Sequence, residues 1–455
     1  MRSRQQRLKA FPRVRAAALV VLPMMAGAAL AGPRPGANDS RTTTQIKHVI
    51  VIVGENRGFD YLFATYVSPS GEAVRNLLSE GIVNADGTPG PRFKDARQFR
   101  ASDTTTFSVS PTITGPYVKL PPPNVGFTPN QQSRTRAPFV SIKVAKQFDH
   151  GVLPNALITL TTGATGLPFT TIDTRIAGAS QLPSGPYPLS PGVTSDSYAK
   201  SPVHRYFQMF QQLDCNAGYA TPANPSGCRA DLFPWVEVTV GAGASGGPRP
   251  PHFNEETTHE GAAAMGFYNI QQGDTPYLKS LADRYTVLDN YHQPAMGGTT
   301  LSSLYLGYAD AIWFSDGRGH PATPAAGLIE NPDPQQGTNN WYVQDGYLGG
   351  SYSNCSDPAQ PGVASVSAYL SNLGVSLNCD AGHYYLLNNY NPAYLGNGQV
   401  MTSFFNLPPS STPSIADELI ANNISWSYFG EGWNQYVADP NVVGPYCSQC
   451  NPFQY

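Results

Sequence analysis

Residues 46–66 read IKHVIVIVGENRGFDYLFATY, and this stretch decides the fold. Val49-Ile50-Val51-Ile52-Val53 is β-branched, apolar and continuous rather than alternating. That pattern predicts a strand buried on both faces, as in a parallel sheet. Gly54 ends the run, and Glu55, Asn56 and Arg57 follow where such a strand leaves the sheet. In open α/β sheets, ligand chemistry gathers beyond the carboxyl ends of the strands. A carboxylate beside a side-chain amide offers hard oxygen donors, suited to Mg, Mn or Ca. On spacing alone, an ordinary loop pair of Glu55 and Arg57 explains the same residues equally well.

A second stretch begins at Asp274. Asp274 or Thr275 can cap a helix, and Pro276 suits its first turn. Leu278, Leu281, Ala282 and Tyr285 share one helical face. A short strand, Tyr285 to Leu288, is expected next, then Asp289-Asn290-Tyr291-His292 and the turn Gly297-Gly298-Thr299-Thr300. The glycine pair lets backbone approach a ligand closely. Leu301 to Ala311 can continue as a helix. A hydroxyl at the start of a helix sits in positive potential, which favours an alkoxide and a bound phosphate alike. A divalent metal beside it would make it a nucleophile.

Together these motifs resemble the bacterial phosphoesterase family of acid phosphatases and phospholipases C. That family opens with ENRSFDHxFGTY after a strand; here Gly58 replaces the usual Ser and Tyr61 the common His. The resemblance implies Glu55 and Asn56 as metal ligands. It also implies Thr299 as the metal-bound nucleophile, with Thr300 an open alternative. The family often follows its nucleophile with Asn-His; this chain has Ser302-Ser303. DAIWFSDG, downstream, is similar to the acid-phosphatase branch. The implied fold is α/β: an alkaline-phosphatase-like, mostly parallel central sheet flanked by helices, with long loop-rich insertions.

The family completes its metal site with a C-terminal strand ending in D-E-x-G-G, and no such run occurs here. The resemblance therefore implies an incomplete C-terminal end, weakened metal binding and an unpaired sheet edge. Asp417-Glu418 falls inside an expected helix, with Thr412 as cap and Pro413 in its first turn, and is not that pair. Ile424 to Phe429 is expected as the following strand.

The remaining sequence sets the context. Six arginines and lysines before Ala16, an apolar run from Ala16 to Leu30, and Ala29-Leu30-Ala31 fit a secretory signal over residues 1–31. The run is short for a membrane span. Residues 32–45 then read as linker and 46–455 as the phosphoesterase domain, periplasmic or secreted. The net charge of −3 argues against nucleic-acid partners. Charged residues are only 13%, against 44 Gly and 42 Pro, so the chain is loop-rich with a neutral polar surface. An even set of six cysteines in an exported chain favours disulfides, most simply Cys215–Cys228, Cys355–Cys379 and Cys447–Cys450.

From Ser68 to Pro138 the chain is turn-forming, with Thr105 to Val109 as an edge-strand candidate. FPWVEVTV, up to Val240, reads as a strand, GAAAMGFYN as helix-like and YYLLNNY as strand-like. The polar run Pro251 to Glu260 lacks metalloprotease spacing. His150, after Asp149, and His292 are the candidates for protonating a leaving group, and Arg57 for pairing with a phosphate oxygen. The expected reaction is metal-dependent hydrolysis of small phosphate esters. Phospholipase C activity on phospholipids is the alternative, since Trp313, Trp426 and Trp433 could form a choline cage. An exported binding protein that has lost the site is the alternative of another class.

Overall fold

The computed structural model describes residues 45–46, 48–54, 57–103, 105–123, 172–195, 202–203, 205–239, 261–333, 351–390, 393–394, 400 and 407–427. The chain divides into two units, Met1–Ile52 and Val53–Tyr455. In the first, the described residues hold no helix or strand, and Ile50 is 86% exposed. The strand expected at residues 49–53 is therefore not formed. An apolar β-branched run becomes a strand only where a neighbour takes up its N–H and C=O groups. The same correction applies to Tyr285 to Leu288 and to the described part of the 424–429 segment, which are irregular, with Tyr285, Leu288 and Ile424 exposed.

The second unit opens with α1 (Asp60–Phe63), a single turn. β1 (Phe99–Ala101) pairs antiparallel with β2 (Ile113–Pro116). The expected strand at Thr105 to Val109 is instead the bend between them: Asp103, at φ 63°, accepts the Thr105 and Thr106 N–H groups. β3 (Tyr187–Pro188) precedes α2 (Tyr206–Leu213) and α3 (Phe233–Thr239). α3 corrects the strand expected at FPWVEVTV. Trp235, Val236 and Val238 are all buried, and periodicity cannot separate helix from strand in a segment buried all round. Pro234 suits the first turn of a helix, where no N–H is needed.

A 3-10 turn, Gly261–Met265, leads to β4 (Gly266–Phe267), which runs parallel to β3. α4 (Pro276–Ala282) starts as expected, with Thr275 at the N-cap and Pro276 in its first turn. α5 (Thr299–Tyr308) ends where Ala309 turns left-handed at φ 53°. β5 (Tyr352–Ser353), α6 (Val363–Asn372), β6 (Tyr385–Leu386) and α7 (Ile415–Ala421) complete the described elements. Among the described residues the sheets are three two-stranded pairs, and no central parallel sheet is formed.

Two of the three expected disulfides are present, Cys215–Cys228 and Cys355–Cys379. Cys447 and Cys450 lie outside the described residues. Asp417 does local work: its carboxylate accepts the Ser414 N–H while the Ser414 hydroxyl accepts the Asp417 N–H, a capping box at the start of α7. The helix thus begins two residues later than the Thr412 cap predicts.

Beside Cys215–Cys228, Arg229 lies between two buried carboxylates, bonding Asp214 and standing 3.4 Å from Asp231. Burial first, and then the Asp214 charge, push the Asp231 carboxyl up to about 7 against the pull of Arg229. Unfolded, it ionises near the usual value of about 4. Between those values the folded state binds more protons than the unfolded chain, so stability falls as pH rises through about 7. Asp231→Asn cannot ionise. We expect its melting temperature to gain on the parent's at pH 8 and to match it more closely at pH 5. Equal shifts at both pH values would refute the ionisation argument.

Candidate active site

The Gly-Gly-Thr turn is built against the segment that follows β6. Ile312, Leu304, Leu328, Tyr352, Leu386 and Tyr390 form one buried cluster, which seats α5 on the β5–β6 pair. The pair is widened on both sides. Glu330 N–H donates to Tyr352 O at 2.8 Å, and Leu386 N–H donates to Ile312 O at 2.8 Å. The strand-like reading of YYLLNNY is therefore sound at Tyr385 and Leu386, and its last residues carry the site's support.

Gly297 adopts φ +148°, and a Cβ there would stand 2.1 Å from Leu387 O. Gly298 caps α5 with extended backbone, and a Cβ there would stand 2.5 Å from Asn389 Oδ1. Only glycine fits either position, which gives the Gly pair its physical reason. Thr300 N–H donates to Asn389 Oδ1 at 2.8 Å. The Thr300 hydroxyl is buried and held against the Tyr390 backbone, 3.3 Å from its carbonyl oxygen and 3.4 Å from its nitrogen. It is thus committed to packing. Thr299 is the first residue of α5.

A buried ion pair stands behind this turn. Arg205 donates to both carboxylate oxygens of Glu330 at 2.8 Å, and Asn388 Nδ2 adds a third bond at 2.9 Å. Asn388 Oδ1 in turn accepts the Tyr206 N–H, at the start of α2. Burial pushes the Glu330 carboxyl up, while Arg205 and Asn388 pull it back down. Sequence reading did not single out Arg205, Glu330, Asn388 or Asn389. The signal available was the Asn-Asn pair directly after an apolar run, a place where side-chain amides bond to backbone.

The other candidate residues either make contacts of their own or lie outside the described residues. Glu55, Asn56 and His150 lie outside the described residues, as do Pro251 to Glu260. Arg57 stacks its guanidinium over Tyr61, 4.7 Å from the ring centre, and Tyr61 packs edge-on against Tyr268. Tyr61 therefore serves as an aromatic platform. Asp60 accepts the Leu77 N–H at 3.1 Å, and burial pushes its carboxyl up to about 6. His292 is exposed and bonds Asn290 Oδ1 through Nε2 at 3.0 Å. Among the described residues, no group of three or more His, Cys, Asp or Glu side chains is placed to hold a metal ion.

No curated protein and no solved structure matches the chain. The model of the Phosphoesterase family matches residues 179–454. That span is more than half of the chain, and it contains the glycine turn, α5 and the Asn388–Asn389 support built around them. It begins after the Glu55-Asn56-Arg57 stretch. On this match the chain belongs to the Phosphoesterase family.

Proposed function

We propose that this chain is an exported enzyme that hydrolyses small phosphate esters with Thr299 as nucleophile. The observation that carries this reading is the Gly297-Gly298-Thr299 turn opening a 10-residue helix inside the family span. A helix start carries positive potential that favours a phosphate. The burial of the neighbouring Thr300 hydroxyl supports Thr299 as the reactive one.

The Thr299 oxygen attacks phosphorus. A Thr–O–P bond forms as the P–O bond to the alcohol breaks, and the Thr299 proton is released to a base. The departing oxygen takes up a proton, with His292 and His150 as candidate donors. Water then attacks the phosphothreonine, which frees inorganic phosphate and restores the hydroxyl. Arg57 is the candidate for pairing with a phosphate oxygen.

Glu55, Asn56 and Thr299 are all oxygen donors, a set that fits Mg, Ca or Mn and not a thiolate-seeking metal. Those three would hold the cation. When bound, it supplies charge that lowers the pKa of the hydroxyl and offsets that of the phosphate. Export is supported by the basic and apolar leader and the two disulfides. No helix among the described residues is long and apolar enough to cross a membrane.

The test is hydrolysis of p-nitrophenyl phosphate from acidic to neutral pH. We expect turnover that falls at least about 10-fold with a chelator and returns with Mg, Ca or Mn. Turnover indifferent to the chelator would remove the metal from this reading. A folded protein with no turnover would remove the enzyme.

A further inference from the structure

We infer that Asn389 is a positioning residue for the nucleophile, which it aligns through the first turn of α5. The inference rests on the Thr299 reading above. Asn389 reaches the turn from 89 residues away in sequence, so the bond is tertiary and not a local cap. Its Oδ1 takes the Thr300 N–H, the amide directly after Thr299. The same side chain lies 2.5 Å from the position a Gly298 Cβ would take, so it meets the turn on both sides of Thr299.

Asn389 is itself held firmly. It is buried, its carbonyl accepts the Ser351 hydroxyl at 2.9 Å, and Asn388 beside it joins the Arg205–Glu330 pair. Three further contacts fix the same turn. Gly298 N–H points to Leu387 O at 3.4 Å, Gly297 N–H to Met209 Sδ at 3.1 Å, and the Thr300 hydroxyl lies against the Tyr390 backbone. The start of α5 is therefore fixed from outside the helix, with the reactive residue at its first position.

A helix N-terminus without a side-chain cap of its own frays. Gly298 has no side chain, so it cannot supply a capping oxygen. Asn389 supplies it from across the fold. A nucleophile displaced by about 1 Å loses on the order of 100-fold in rate, because the reacting atoms leave their attack distance. Substrate affinity, shared with Arg57 and the cation of the proposed site, is less sensitive. The role is thus one of alignment, exerted through the backbone of the first helical turn.

The test uses full-length Asn389→Ala, Asn389→Asp, Gly298→Ala and Thr299→Ala, with p-nitrophenyl phosphate as substrate. Rates are expressed per folded molecule, measured by thermal unfolding. We expect Asn389→Ala to lower kcat about 10- to 100-fold with KM within about 3-fold of the parent. Asn389→Asp keeps the acceptor oxygen and should recover kcat to within about 5-fold. Gly298→Ala pushes the turn off Asn389 from the opposite side and should reproduce the kcat loss. It also decides the matter if Asn389→Ala does not fold.

Parental kcat in folded Asn389→Ala or Gly298→Ala would overturn the inference. So would an Asn389→Asp protein as slow as Asn389→Ala. Thr299→Ala separates the two levels. If it keeps the parental rate, the nucleophile reading itself fails. If it is inactive while Asn389→Ala is fully active, only the positioning role fails.

Discussion

Thr299→Ala is expected to lower kcat for an aryl phosphate at least about 1,000-fold, the scale seen when a covalent nucleophile is removed. The loss should appear with little change in stability. Thr299 is the first residue of α5, and Ala is a better helix former than Thr. A fall in activity therefore cannot be attributed to unfolding of the helix. Thr299→Ser keeps a hydroxyl at the same position and should retain activity to within about 10-fold. Steady-state kinetics on the folded proteins, with phosphothreonine trapped by acid quench of the parent, would check both. A Thr299→Ala protein turning over at the parental rate would place the chemistry elsewhere.

What could be read from the sequence divides along a physical line. Features fixed by neighbours in the chain were legible. Pro276 and Thr275 announce α4. The Gly pair reads as room for a ligand, and in the fold it makes room for Leu387 and Asn389. The disulfides Cys215–Cys228 and Cys355–Cys379 follow nearest-neighbour pairing. The start of α7 was legible to within two residues, because a capping box needs only Ser414 and Asp417.

Features that depend on a distant partner were not legible. Val49 to Val53 and Tyr285 to Leu288 carry strand-like residues, yet a strand exists only where another segment completes its hydrogen bonds, and none does so among the described residues. FPWVEVTV is rich in residues that favour strands, and its burial on every side as α3 overrides that preference. The helix α6 lies where no element is expected from the sequence. Of its buried residues, Val366 joins a cluster with Phe207 and Phe210 of α2, which no local pattern announces. The site divides in the same way. Thr299 is a candidate from its turn alone, whereas Asn389 meets that turn, and Glu330 meets Asn388, only through the fold.

Breaking the Arg205–Glu330 pair is expected to have the largest effect on stability. Both side chains are almost wholly buried, at 3% and 0% exposure, so removing the guanidinium leaves a carboxylate with neither water nor a cation. Truncating one partner of such a pair costs about 3–5 kcal/mol. Arg205→Met should therefore lower the denaturant midpoint sharply. Adding Glu330→Gln should recover much of the loss, because a neutral amide no longer demands a counter-charge. A double-mutant cycle would show strong coupling, and simple additivity of the two changes would sink the argument.

The pH dependence of Arg205→Met carries a sign as well. Burial already pushes the Glu330 carboxyl up, and Arg205 is the first of the groups that pull it back. Without Arg205, the folded state holds the Glu330 proton to higher pH than the unfolded chain does. Stability is then greatest below the ordinary carboxylate range and is lost as pH rises through the raised value. The variant should stand closest to the parent in acid and fall furthest behind at alkaline pH, while the double variant shows no such slope. The effect should also reach the site. Glu330 accepts from Asn388, and Asn388 precedes the residue that grips the Thr299 turn. At pH 8, then, Arg205→Met should lose turnover per folded molecule as well as stability. The double variant, neutral at position 330 and keeping an acceptor there for Asn388, should lose less of both.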